Sequence, residues 1–333
     1  MKKRTFDLLA PDVVLQAVEA AYDLRLDGTL TAFSSYVNRV YGIATEDGVP
    51  LVVKFYRPGR WTVEAILEEH RFVADCAAQE LPVVTPLEAP DGSTLSSVTA
   101  SDGHEEEDLS FALYPRRSGR SFDAETDDDW IRLGSIAGRI HAVAVTREAF
   151  ERLRCTPEAS TARFVEELRA AAVVPPPCSD ELYPLLEEAL GGIAPLFSGV
   201  ALHRIHGDCH RGNILDRPGE GLLVIDFDDM MVGPAVQDLW LLLPDHASAA
   251  RRELDLILRG YEQFRPVDDA ALRLIEPLRL MRMVYYLAWS ARQKDDRRFR
   301  ETQPGWGTEA FWIKEIEDIR TQMKVIDAEL GRG

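Results

Sequence analysis

Cysteine is scarce in this chain, four residues in 333, and no two of the four stand at the C-x-x-C spacing of a zinc or redox site. Cys76, Cys155, Cys178 and Cys209 therefore read as reduced thiols, which excludes a disulfide scaffold. Long apolar runs are missing as well; none approaches the roughly 20 residues that span a bilayer. The basic start Met1-Lys2-Lys3-Arg4 is followed by no apolar segment of the kind found in export signals, because Asp7, Pro11 and Asp12 interrupt it. A cytoplasmic location without membrane insertion is expected. Excess positive charge is absent too. The formal net charge is −18, whereas sequence-independent nucleic-acid binding needs a basic face to displace counterions. The same charge argues against docking on an anionic membrane. It leaves a soluble surface, or an acidic one that attracts a cationic substrate. No internal repeat is visible.

What is present is ordinary globular composition, 46% hydrophobic and 28% charged, at a length that suits two units. Residues 11–26 place Val14, Ala17, Val18, Ala21 and Tyr22 at helical spacing behind Pro11. Two strands, Tyr36 to Thr45 and Pro50 to Tyr56, flank the turn Glu46-Asp47-Gly48. Residues 62–80 form a helix capped by Thr62. Residues 83–115 read as short strands with turns at Asp91-Gly92 and Asp102-Gly103. Within them the acidic run Glu105 to Asp108 reads as a solvated loop, and Phe111 to Tyr114 as an apolar stretch closed by Pro115. Arg116 to Arg120 is a polar connector and the expected boundary between lobes. Beyond Asp127 the pattern is helical over 128–144, 158–173 and 180–197, with Pro175-Pro176-Pro177 as a stiff linker. Residues 201–227 break into short strands and tight turns, and 235–264 and 268–329 return to helix. The expected fold class is α+β in two lobes, a small β-rich one over residues 1–115 and a larger, mainly helical one over 116–333.

The densest polar chemistry lies between His206 and Asp229. In His206-Gly207-Asp208-Cys209-His210-Arg211-Gly212-Asn213, a loop with two glycines can aim the Asp208 carboxylate and the Asn213 amide into one cleft. Asp226 directly follows the apolar run Leu222 to Ile225, and a carboxylate at the end of a buried strand is costly unless paired or bound to a cation. Phosphoryl transfer needs this set: a carboxylate to orient the attacking hydroxyl and take its proton, and oxygen ligands for Mg²⁺. A lone Asp or Asn in a Gly-rich loop is a turn residue; the combined spacing is what favours chemistry. Cys209 reads as packing, His210 as a hydrogen-bonder, and His206 as an anchor for the loop backbone. In the first third, Lys54 lies among apolar neighbours in Leu51-Val52-Val53-Lys54-Phe55-Tyr56. It is either a snorkelling surface lysine or a phosphate anchor held by an acidic residue of the next helix, Glu69 or else Glu68. The segment Ala32 to Tyr41 has serines where a phosphate-covering loop has glycines, and an ordinary polar hairpin fits it equally well.

H-G-D-x-H-x-G-N followed by Ile225-Asp226-Phe227-Asp228-Asp229 resembles the aminoglycoside phosphotransferase and choline kinase superfamily, which has a protein-kinase-like fold. Ser35 to Tyr41, Val52 to Trp61 and Gly233 to Trp240 are similar to its bacterial serine/threonine protein kinases of the stress-response type. The resemblance implies ATP as co-substrate, bound by residues 1–115, and Mg²⁺ as cofactor. It implies Asp208 as catalytic base, Asp226 and Asn213 as metal ligands, Lys54 as phosphate anchor with Glu69 beside it, and Ser35 in the ATP site. It implies a protein acceptor with serine or threonine. The chain departs from typical protein kinases in lacking a glycine-rich loop and an A-P-E segment. A small-molecule kinase acting on an amino alcohol, a homoserine-like compound or an aminoglycoside is the alternative. A degenerate, non-catalytic member would have lost Lys54, Asp208, Asn213 or Asp226, and all four are present.

Overall fold

The computed structural model describes residues 6, 8–35, 37–101 and 103–332, with the side chains of residues 297 and 298 excepted. Met1 to Arg4, Asp7, Tyr36 and Asp102, which entered the sequence reading, lie outside the described residues. The chain divides into two compact units, Met1–Phe122 with Gly212–Asp228, and Asp123–Arg211 with Asp229–Gly333.

In the first unit, helix α1 (Pro11–Tyr22) precedes strands β1 (Thr31–Ala32), β2 (Arg39–Ala44) and β3 (Pro50–Phe55). Helix α2 (Val63–Ala78) and strands β4 (Ser96–Ser101), β5 (Glu106–Pro115) and β6 (Arg120–Ser121) follow. The main sheet has the order β1-β2-β3-β5-β4, antiparallel throughout. Period-two alternation sends Leu51, Val53 and Phe55 of β3 into one core, with Phe111 and Leu113 of β5 and Val14, Val18 and Tyr22 of α1. Phe55 and Phe111 stack at 5.0 Å between centroids. Lys54 and Tyr56 therefore face the other way.

The acidic run is corrected here. Glu106 to Asp108 belong to β5, paired with Thr99 to Ser101 of β4, and the Thr99 hydroxyl donates to Asp108 at 2.6 Å. Glu106 and Asp108 are exposed on one face of the β4–β5 hairpin, while Glu107, on the other, accepts from the Phe6 N–H at 3.3 Å; a strand end tolerates such charge as readily as a loop. Residues 83–95 hold the Asp91-Gly92 turn and a single bridge, Val83 to Val224, rather than strands.

The second unit begins with α3 (Asp127–Ala144), α4 (Ala162–Ala171) and α5 (Pro176–Ile193). Thr126 and Asp129 cap α3 reciprocally. A π-turn at Pro157–Thr161 replaces the expected start of α4. The three prolines are no linker: Pro176 and Pro177 form the first turn of α5, where an absent N–H leaves no bond unmade. Strand β7 (His203–Ile205) follows, then β8 (Ile214–Arg217) and β9 (Gly221–Val224), then β10 (Met231–Gly233), which pairs with β7. The helix expected over 235–264 is two helices, α6 (Val236–Trp240) and α7 (Arg251–Tyr261), parted at Pro244, which cannot continue a helix. The chain closes with α8 (Asp269–Leu272), α9 (Ile275–Gln293), α10 (Arg297–Thr302) and α11 (Glu309–Glu329). Helices α3 and α7 cross with backbones nearly touching. A Cβ at Gly134 would lie 1.8 Å from the Ile257 carbonyl oxygen, and one at Gly260 2.0 Å from that of Ile131.

The hairpin β8–β9 lies beyond the boundary expected at 115/116. It pairs with β6, and Val224 N–H donates to Pro82 at 2.9 Å, so residues 212–228 fold with the first unit. The α+β class, β-rich at the front and mainly helical behind, is otherwise as expected.

Candidate active site

The first unit gathers a buried charge cluster around Lys54. The side chain leaves β3 on the face opposite the core, and its cross-strand neighbour is Ala112, whose small side chain leaves it room. Helix α2 carries an apolar stripe of Ala65, Ile66, Phe72, Val73 and Cys76, and Glu69 falls within it. The helix therefore buries this carboxylate, and Glu69 Oε1 lies 3.7 Å from Lys54 Nζ. Asp226 Oδ1 is also 3.7 Å away and Asp228 Oδ1 is 3.0 Å away. Asp228 further pairs with Arg60. Lys54 also lies over the Tyr56 ring at 4.7 Å. Burial disfavours the ammonium, but Asp228, then Glu69 and Asp226, outweigh it and hold Lys54 well above the ordinary lysine range.

The hairpin β8–β9 builds the second feature. Ile214 faces Val224, so the next rung sets Asn213 opposite Ile225, whose N–H donates to the Asn213 carbonyl at 3.0 Å. Asp226 follows at φ +62°, a left-handed conformation that non-glycine residues adopt at some strain, found chiefly at functional positions. Phe227 anchors the turn edge-on against Phe72 of α2, 5.7 Å between centroids. The Asp226 side chain is 56% exposed, while Asp228 is buried. Two oxygen donors, one carboxylate and one amide, suit a hard cation that keeps waters and phosphate oxygens as its other ligands. Ser35 is not brought into this cluster by any contact given among the described residues; its hydroxyl accepts from the Asn38 N–H at 3.4 Å. Asn38 in turn accepts from Arg57 N–H at 3.1 Å, just past β3.

In the second unit, Asp238 organises the loop that carries Asp208. Its buried carboxylate accepts the N–H groups of His206 at 2.7 Å and Gly207 at 2.8 Å, and His141 Nε2–H at 3.0 Å. His141 Nδ1 then accepts from the Tyr261 hydroxyl at 3.1 Å. Burial would raise the Asp238 carboxyl, but the hydrogen bond from His141, with that from the Gly207 N–H, holds it below the ordinary carboxylate range. Gly207 has φ +85°, and a Cβ there would lie 2.1 Å from the Asp229 carbonyl oxygen, so no other residue fits. His206 anchors the loop as expected, accepting from Asp208 N–H at 3.3 Å. Cys209 is buried, and burial pushes its thiol far up, which leaves it a packing residue.

Asp208 itself faces Arg282 of α9 at 2.5 Å and His210 at 3.4 Å. Burial pushes its carboxyl up, but the His210 hydrogen bond and the charge of Arg282 bring it down to about 2. Three of these partners escaped the sequence reading: Asp228, Arg60 and Arg282. Arg60 lies in an irregular segment with no period to mark it, and Arg282 is 74 residues from Asp208. Asp228 stood in the motif, but nothing in the spacing distinguished it from a turn residue.

Asp238→Ala removes the acceptor of two backbone N–H groups and a buried histidine. Breaking such a pair costs about 3–5 kcal/mol, and roughly 2–4 °C of Tm accompanies each kcal/mol at this size. A fall in Tm together with activity is expected in a thermal scan; lost activity at an unchanged Tm would assign Asp238 to the chemistry instead.

A sequence profile described as "Phosphotransferase enzyme family" matches residues 29–275. Stress response kinase A of Escherichia coli K12 is 36% identical over 327 residues, covering 97% of this chain and 95% of that protein. A protein of Salmonella typhimurium LT2 described as serine/threonine protein kinase RdoA is also 36% identical, with the same coverage of both chains. Among solved structures, amicoumacin kinase hAmiN in complex with AMP-PNP, Ca2+ and Ami superimposes with a TM-score of 0.70 at 20% identity, over 92% of this chain and 93% of the other. At that identity the likeness is one of fold.

Proposed function

This chain belongs to the phosphotransferase enzyme family, and from that premise we propose that it is an ATP- and Mg²⁺-dependent serine/threonine protein kinase acting in a stress response in the cytoplasm. That it is a kinase transferring phosphate to a hydroxyl acceptor follows from the family and from relatives matched along nearly their whole length. Among the described residues no helix is long and apolar enough to cross a membrane. The observation that carries the proposal is the Lys54 cluster. A buried ammonium ringed by Glu69, Asp226 and Asp228 is what a nucleotide phosphate anchor requires, and a snorkelling lysine would reach water instead.

The residues divide the work as follows. Lys54 holds the α- and β-phosphates of ATP, with Glu69 fixing its ammonium. Asp226 and Asn213 would hold the Mg²⁺, which would supply positive charge to stabilise the transferring phosphates. Ser35 meets the phosphates from the segment between β1 and β2. Asp208 orients the acceptor hydroxyl and takes its proton as the oxygen attacks the γ-phosphorus and the bond to the β-phosphate oxygen breaks, leaving ADP and the phosphorylated acceptor. The His210 hydrogen bond and the Arg282 charge hold the Asp208 carboxyl low, so it is ionised at neutral pH and can accept a hydrogen bond from the acceptor hydroxyl. The protein acceptor rests on the two relatives at 36% identity; the small-molecule kinase rests on fold alone.

Asp226→Ala should weaken Mg²⁺-dependent ATP binding and abolish transfer, because the remaining amide ligand carries no charge. Calorimetric titration of ATP with and without Mg²⁺ checks this. Equal affinity in both conditions for the wild type would remove Asp226 from the metal. Labelled ATP offered with a protein substrate beside a panel of amino alcohols separates the two acceptor classes.

A further inference from the structure

We propose that Arg282 is a specificity-determining residue of the acceptor site, favouring a hydroxyl that stands next to a carbonyl or carboxylate and disfavouring one that stands next to an ammonium. The inference rests on the reading of Asp208 as the residue that meets the acceptor hydroxyl. Arg282 lies on α9, and its Nη2 is 2.5 Å from Asp208 Oδ1. The other oxygen, Oδ2, faces His210 Nε2 at the longer distance of 3.4 Å. Arg282 thus does two things to whatever docks there. It cancels the charge of Asp208, so the base offers little attraction to a cation. It also brings a rigid planar fork of donors, of which the Asp208 bond takes one and others remain on a side chain 34% exposed.

A serine or threonine within a polypeptide carries a backbone carbonyl two carbons from its hydroxyl oxygen, an acceptor suited to those remaining N–H groups. An amino alcohol carries an ammonium at the same remove, and would set it against the guanidinium. The net charge of −18 points the other way, toward a cationic acceptor. It is spread over the whole surface, however, and is screened beyond about 8 Å at physiological salt, whereas Arg282 touches the base directly. The local charge decides.

The test compares the wild type with Arg282→Gln and Arg282→Lys, as full-length chains, on three acceptors: a peptide with an internal serine, glycerate, and 1-amino-2-propanol. Rates are read with labelled ATP, and affinities by calorimetry so that slow turnover does not hide a ranking. The wild type should prefer the peptide or glycerate over the amino alcohol. Arg282→Gln should shrink that preference by roughly 10- to 100-fold, the range of a lost charge-assisted hydrogen bond. Arg282→Lys should restore part of it, and KM for ATP should stay unchanged in both. A preference unchanged in Arg282→Gln, equal losses on all three acceptors, a wild type that prefers the amino alcohol, or one that binds none of the three would each overturn the proposal. A wild type that takes glycerate but no peptide would keep this inference and remove the protein-acceptor reading.

Discussion

Asp208→Asn should cut turnover by about 10²–10⁴-fold, the range of a positioned acid–base group, with nucleotide affinity and fold retained. The substitution keeps the shape of the side chain and the loop that Asp238 holds through His206 and Gly207. It removes the one charge that pairs with Arg282 and His210, both partly exposed and able to take up water. The pH dependence follows from the same contacts. Because the folded carboxyl is held at about 2, below the unfolded value near 3.9, Asp208 contributes stability at pH above that unfolded value and loses it as pH falls through about 2. The acid limb of the wild-type rate profile should therefore show no inflection from Asp208 near pH 4. Steady-state rates across pH 4–8 for both proteins check this, and a variant that turns over like the wild type would take Asp208 out of the mechanism.

Lys54 carries the other large effect. Lys54→Met deletes the charge and keeps most of the stem, but it leaves Glu69 and Asp228 buried beside a thioether, and breaking a buried pair costs about 3–5 kcal/mol. Arg60 still faces Asp228 and limits the loss. A fall in transfer in this variant thus mixes positioning with stability. Lys54→Arg keeps the positive charge among three carboxylates and isolates the geometry. A planar fork replaces a compact ammonium that Asp228 holds at 3.0 Å, and the phosphates lose their anchor point. Misplacement by an ångström is enough for a loss of about 10²-fold. Rates equal to the wild type in an ATP assay would take Lys54 out of phosphate binding and remove the nucleotide half of the account.

Much of this was legible in the sequence because it is written in local patterns. The alternation around Lys54, the Thr62 cap and apolar stripe that bury Glu69, and the hairpin that puts Asn213 one rung before Asp226 are all short-range features. What was not legible depends on tertiary register. Asp228 and Arg60 meet across 168 residues, and Arg282 meets Asp208 only because α9 packs in the unit that holds the catalytic loop. The acidic start of β5 was hidden because a strand end accepts charge, which is also the mark of a loop. The prolines of α5 were hidden because a first helical turn and a linker both accept them.

The central claim is that this chain moves the γ-phosphate of ATP to a serine or threonine hydroxyl oriented by Asp208. The most direct measurement is phosphoamino-acid analysis of a protein acceptor after incubation with labelled ATP and Mg²⁺, run with the wild type and with Asp208→Asn. The account predicts label on phosphoserine or phosphothreonine with the wild type and about 10²–10⁴-fold less with the variant. Label that appears only on small amino alcohols, or that appears equally with both proteins, would contradict it.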